Sequence, residues 1–223
     1  MIKVENATQI FSKQVVFQNV NFSIGQGERV AIVGRNGAGK TTLLHALLGF
    51  TRLKQGKITL DGKPVHKQGA WKGNLSYLPE KFQLYGQLTV KENVEFFAES
   101  FGLGKEEVNR VLDLTDMAEQ GDKRITALSK GMLQRTGLSI AVLGNPDWVV
   151  LDEPTSGLDP FGRRDVMELM AKIGSMGASI IFTTHHMEEV REIATHVLYF
   201  HDTRVEKMKV DQFFGRFNQE VVG

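Results

Sequence analysis

Four short apolar runs stand out along the chain: Val30-Ala31-Ile32-Val33, Trp148-Val149-Val150-Leu151, Ile180-Ile181-Phe182 and Val197-Leu198-Tyr199-Phe200. Each is too short for a helix and apolar on both faces, as expected of parallel strands buried inside a sheet. Helical stretches between them predict an α/β core with crossover helices. From Ile2 to Ile24 apolar and polar residues alternate instead, which predicts antiparallel strands. From Thr89 to Leu143 the pattern is helical throughout. Thr89-Val90-Lys91-Glu92 is a capping box. It opens a helix expected to bury Val90, Val94, Phe97, Ala98 and Phe101. A second helix is predicted after Gly104, with Val108, Val111 and Leu112 as its stripe. The tail from Asp211, with Phe213, Phe214 and Phe217, reads as a short packing helix.

Bulk properties narrow this little. The chain has 223 residues, 41% hydrophobic and 24% charged, with a net charge of +1. That charge gives no field to draw it to nucleic acid. There is no cysteine, so disulfide and thiol chemistry are excluded. No apolar run approaches the ~20 residues that span a bilayer, and the first residues lack a signal-peptide core.

The chemistry starts at Gly34-Arg35-Asn36-Gly37-Ala38-Gly39-Lys40-Thr41. A buried strand precedes it, and Thr42 to Leu48 continue it as a helix, the setting a phosphate-binding loop requires. Glycines let backbone N–H groups turn towards phosphate, and the helix start adds its positive dipole. Lys40 is placed for the β- and γ-phosphates and Thr41 for Mg²⁺. A chance glycine-rich turn would not have both neighbours. Further on, the strand Trp148–Leu151 ends in Asp152-Glu153. Carboxylates at a strand's carboxyl end suit Mg²⁺ binding by Asp152 and orientation of an attacking water by Glu153. A plain solvated strand end is the competing reading.

With these residues in place the chain resembles an ATP-binding-cassette (ABC) transporter ATP-binding subunit of the export type. Leu128-Ser129-Lys130-Gly131-Met132-Leu133-Gln134-Arg135 is similar to the family signature, Ser156-Gly157-Leu158-Asp159 to its D-loop, and Thr183-Thr184-His185 to its switch histidine. Tyr77-Leu78-Pro79-Glu80 lies where the family has its Q-loop, and Phe11 where an aromatic stacks on adenine. The resemblance runs from residue 2 to about 205. It implies a P-loop ATPase core over about 1–78 and 145–205, with an antiparallel β-subdomain, an inserted helical subdomain over about 79–144 and a tail over about 206–223.

The resemblance also implies function. Two copies, or this chain and a paralogue, would enclose ATP and Mg²⁺ head to tail. Gly34, Asn36, Gly37, Ala38, Gly39, Lys40, Thr41 and Thr42 of one subunit, with Phe11, would face Ser129, Lys130, Gly131 and Asp159 of the other. Glu153 would be the catalytic base, with His185 and Lys40 as its catalytic companions. Thr41, Glu80 and Asp152 would hold the metal. An integral-membrane permease would be the working partner, placing the chain in the cytoplasm on the membrane's inner face. Two departures matter. Glu80 replaces the family's usual glutamine and adds charge near the phosphates. Lys130 replaces a glycine, putting a cation at a helix N-terminus at a cost of ~0.3–1 kcal/mol, which a contact with the γ-phosphate would offset.

Phe82, Leu84 and Tyr85, beside Phe96 and Phe97, read either as the permease-binding surface or as closure of the helical core. A soluble cassette ATPase acting outside transport is the alternative function. A GTPase would need an Asn-Lys-x-Asp motif, which this sequence lacks.

Overall fold

The computed structural model describes residues 1–67, 71 and 74–222. In chain order the elements are β1 (Ile2–Phe11), β2 (Gln14–Ile24), β3 (Arg29–Val33), α1 (Lys40–Leu47), β4 (Gln55–Leu60), β5 (Lys63–Pro64) and β6 (Leu75–Leu78). Then come α2 (Val90–Ser100), α3 (Lys105–Leu114), two short 3₁₀ turns, α4 (Lys130–Ala141), β7 (Trp148–Leu151) and α5 (Pro160–Ser175). The chain closes with β8 (Ser179–Thr184), α6 (Met187–Ile193), β9 (His196–His201), β10 (Arg204–Lys209) and α7 (Val210–Val222). No helix among the described residues is long and apolar enough to cross a membrane. The described chain forms two compact units, residues 1–72 with 179–223 and residues 73–178.

The first unit is an α/β assembly. An antiparallel sheet runs in the order β2-β1-β4-β5, and β9 and β8 flank β3 in parallel, with β10 antiparallel on the outer side of β9. Every residue of β8 is buried, as is all of β3 beyond Arg29. This is the double-sided burial that their unbroken apolar runs require. β1 alternates, with Ile2, Val4 and Ala7 inside. The β1–β2 hairpin turns on Ser12 and Lys13, both at positive φ (45° and 71°).

β10 has only one buried residue, Val205. It is held instead by pairing and charge. Lys207 Nζ donates to Glu28 Oε2 at 2.5 Å and to Ser23 O at 2.7 Å. Glu28 Oε1 lies 3.9 Å from His196 Nδ1, and the Thr195 hydroxyl is 3.1 Å from the same nitrogen. The tail helix packs through Phe213, which is 2% exposed and meets Tyr199 edge-on at 5.4 Å. Arg191 of α6 lies 4.5 Å over the Phe214 ring.

The second unit sets parallel β6 and β7 among α2 to α5. Both bonds of the Thr89 capping box are present, Glu92 N donating to Thr89 Oγ1 at 3.2 Å and Thr89 N to Glu92 Oε2 at 2.7 Å. The α2 stripe buries Val90, Asn93, Val94 and Ala98, but Phe101 is 64% exposed. The helix stops at Ser100, and the chain turns away through Gly102 (φ 72°), so Phe101 leaves the stripe. Asn93 repays its full burial by bonding Tyr85 and Thr89 backbone atoms. The α3 stripe is Val108, Val111 and Leu112, with Leu114. Glu107, bound to Arg110 at 2.6 Å and accepting from Gly144 N at 2.8 Å, ties α3 to the end of α4. The Arg110 guanidinium holds the Glu107 carboxyl below the usual range.

Burial pushes the His196 pKa below its usual 6.5, against the pull of Glu28. The unfolded chain therefore takes up a proton near that value while the folded chain resists it, and stability falls as pH drops through and below 6.5. His196→Gln should lose less thermal stability than the parent between about pH 7.5 and about pH 5.5. Melting curves at the two pH values check this.

Candidate nucleotide-binding site

In the first unit the loop from Gly34 to Gly39 joins β3 to α1. Gly39 is the N-cap of α1 at φ 105°. A Cβ there would meet Val16 Cγ1, and one on Gly34 would come within 2.7 Å of the Phe200 Cβ. So β2 and β9 pack closely against the loop, and glycine is needed for space as well as for backbone angle. Lys40 is 7% exposed. Its ammonium donates to Gly34 O at 3.1 Å and Arg35 O at 3.5 Å. Thr41 is exposed and Thr42 half-buried in the first turn of α1.

The loop opens on a cleft of about 850 Å³ walled by Gly34 to Ala38, His185, Met187 and Tyr199 to Asp202. Asn36 and Gly37 thus share one cavity with His185. The histidine is exposed, and its ring lies 4.0 Å from that of His186. Below it, Thr184 Oγ1 donates to the fully buried Glu189 at 2.6 Å and accepts from His186 N at 3.0 Å. Glu189 thereby anchors the β8–α6 turn that carries His185. Sequence reasoning missed it; its only signal was a carboxylate three residues into the helix that follows His186. Phe11 sits 47% exposed at the end of β1.

In the second unit Asp152 and Glu153 follow β7. Asp152 is 5% exposed, and its N–H donates to Leu78 O at 3.0 Å, extending the β6–β7 pairing. Burial, reinforced by the negative charge of Asp152, pushes the Tyr77 phenol up to about 12. Glu153 has φ 47°. That is a strained angle for a glutamate, and such strain collects where a side chain must be aimed. Ser156 N closes the turn onto Glu153 O at 3.0 Å. Ser129 is the N-cap of α4, accepting from Met132 N at 3.2 Å. Asp159 is the N-cap of α5, taking the amides of Phe161 and Gly162 at 2.9 Å each.

Glu80 is exposed after β6. The Lys130 ammonium lies over Gly157, and Gly131 faces Gly162. Among the described residues no three His, Cys, Asp or Glu side chains form a metal-binding group. The hydroxyl of Thr41 and the buried carboxylate of Asp152 are nonetheless hard oxygen donors of the kind Mg²⁺ takes alongside water and phosphate.

Phe82 and Tyr85 part company. Phe82 is half-buried, and its ring would meet a Cβ on Gly137 of α4 at 2.6 Å. Tyr85 is 49% exposed and meets Phe96, itself 47% exposed, edge-on at 4.8 Å.

A strand, a glycine-rich loop and a helix start of this kind define a P-loop nucleotide-binding protein. Residues 17–156 match the ABC transporter family model. The chain is 31% identical to the linearmycin resistance ATP-binding protein of Bacillus subtilis (strain 168), over 85% of this chain and 63% of that one. It is 31% identical to the Nod factor export ATP-binding protein I of Cupriavidus metallidurans, over 88% and 67%. Among solved structures, cbiO1 of Clostridium perfringens, described as part of the ABC transporter complex cbiONQ, superposes with a TM-score of 0.86 at 28% identity, covering 96% of this chain and 90% of that one. An ATP-binding subunit of an ABC transporter does so with a TM-score of 0.82, also at 28% identity, covering 98% and 93%. The chain spans about half to two thirds of the length of the first curated relatives it matches. It belongs to the ABC transporter family.

The loop glycines differ in a measurable way. Gly37 has φ 78° with nothing within 4 Å of a Cβ, whereas Gly39 combines φ 105° with the Val16 clash. Gly37→Ala should cost about 1 kcal/mol, and Gly39→Ala about 2–4 kcal/mol, since overpacking adds to strain. Urea unfolding of the two variants measures the gap.

Proposed function

We propose that this chain binds and hydrolyses ATP with Mg²⁺ as the ATP-binding subunit of an ABC transporter, driving export through a separate membrane permease. The observation that carries this reading is Lys40, nearly buried and bonded at 3.1 Å to O of Gly34, a loop residue that lines a cleft together with His185. A phosphate entering that cleft offers charged oxygens in place of neutral carbonyls, and charge-assisted bonds of this kind are roughly twice as strong. The name of a relative, the Nod factor export ATP-binding protein I, supports the outward direction.

The residues then have these tasks. The loop amides, Lys40 and Thr42 hold the phosphates, and Phe11 covers the adenine. Thr41 and Asp152, with Glu80, hold the metal, whose chemistry is to neutralise charge on the transferred phosphoryl group. Glu153 orients the attacking water and takes its proton, and His185 steadies the γ-phosphate. Ser129, Gly131 and Asp159 of a second copy or a paralogue close the site. ATP draws the two subunits together and hydrolysis lets them part. The chain sits in the cytoplasm at the inner face of the membrane, with Tyr85 and Phe96 towards the permease.

Glu153→Gln should keep ATP affinity while phosphate release falls by a factor of about 100 or more, and it should elute as a dimer with ATP. Turnover near that of the parent would remove Glu153 from the base role. Lys40→Ala should weaken ATP binding itself. Tyr85→Glu should release the chain from membranes that carry the permease without changing its melting temperature. Phe82→Ala should instead lower stability by about 3 kcal/mol, because it empties packed space against α4.

A further inference from the structure

We propose that Lys130 is a positioning residue that holds the turn from Glu153 to Asp159 by occupying the space above Gly157. The inference deepens the reading above, and rests on it for the role of Glu153. The observation is steric. A Cβ on Gly157, which has φ 65°, would collide with Lys130 Nζ, and Cε lies 3.5 Å from the same point. The end of the Lys130 side chain lies where a side chain at 157 would begin, so a Cβ there would displace it.

The helix tips explain why Lys130 lands there. A Cβ on Gly131 would be 3.7 Å from the Gly162 Cα, and a Cβ on Gly162 would be 3.8 Å from the Gly131 Cα. The first turns of α4 and α5 thus meet backbone to backbone, each beside its own cap, Ser129 and Asp159. Lys130 is the first residue of α4. With Gly131 against Gly162, its side chain lies over the turn that leads into α5.

That turn buries Thr155 and Leu158 and leaves Gly157 exposed. Its internal amide bonds are Ser156 N to Glu153 O at 3.0 Å and Leu158 N to Thr155 O at 3.2 Å. It begins at a residue with φ 47° and passes through one with φ 65°. A backbone strained at Glu153 needs its surroundings to hold it. The aliphatic stem and ammonium of Lys130 supply one wall.

Positioning and phosphate binding predict different kinetics. A residue that only positions the turn changes how Glu153 meets its water, which lowers kcat and leaves the KM for ATP alone. A direct phosphate contact raises KM. Lys130→Met keeps the stem and removes the ammonium, and Lys130→Arg keeps a charged head of similar reach. Hydrogen exchange of the nucleotide-free protein should rise severalfold across residues 153–160 in Lys130→Met and stay near the parent in Lys130→Arg. kcat should fall roughly tenfold in Lys130→Met with KM within about twofold of the parent, and Lys130→Arg should recover most of kcat. Gly157→Ala, which evicts the same ammonium, should reproduce the faster exchange.

Unchanged exchange and unchanged kcat in Lys130→Met overturn the proposal. A raised KM with kcat preserved overturns it in favour of a phosphate contact. A parent protein that hydrolyses no ATP would sink the ATPase reading but leave the exchange result to judge the contact.

Discussion

The first unit depends on one steric constraint: β2 and β9 lie so close against the phosphate loop that Val16 and Phe200 take the room for a side chain at Gly39 and Gly34. The loop's shape is therefore imposed from outside as much as by its own glycines. A glycine-rich segment left to itself loses more conformational freedom on ordering than any other. Backing it with two apolar residues moves that cost to folding, so ligand binding does not bear it. This is preorganisation in its simplest form, with strand residues packed against the loop and a helix start following it.

The second unit solves a different problem, which is to aim a carboxylate. β7 delivers Asp152 and Glu153 in succession, but their environments differ. Asp152 is enclosed, and its charge helps raise the Tyr77 phenol to about 12. Glu153 is turned out by a left-handed angle. Two adjacent carboxylates thus face different surroundings through backbone geometry alone. The caps on α4 and α5 then fix where the following turn ends, since Asp159 binds two amides of its own helix.

Much of this was legible in the sequence, for physical reasons. Strands buried on both faces advertise themselves as apolar runs, and β3, β7, β8 and β9 extend the expected runs by at most two residues at either end. The Thr89 capping box and the α3 stripe were equally plain. β10 was not legible, because one buried valine among charged residues carries no strand pattern and its stability comes from pairing and the Lys207–Glu28 bridge. The β1–β2 turn was illegible too, since Ser12-Lys13 has neither asparagine nor glycine to announce a left-handed pair. At the site, motif residues could be read off because their types are dictated by chemistry. Their supports could not. Val16, Phe200 and Glu189 are ordinary residues that acquire meaning only through what they touch.

The state of Lys40 shows why such supports matter more than any one polar contact. Its ammonium bonds to two carbonyls of the loop itself. Were the loop soft, those bonds would draw it inward, and an incoming phosphate would first have to reopen it. With Val16 and Phe200 packed against it, the backbone has little freedom to follow the lysine, and only the side chain need move. Binding then exchanges neutral acceptors for charged ones at nearly constant backbone geometry, so most of the electrostatic gain is available as affinity. Relaxing the backing would erode that gain even with every motif residue in place.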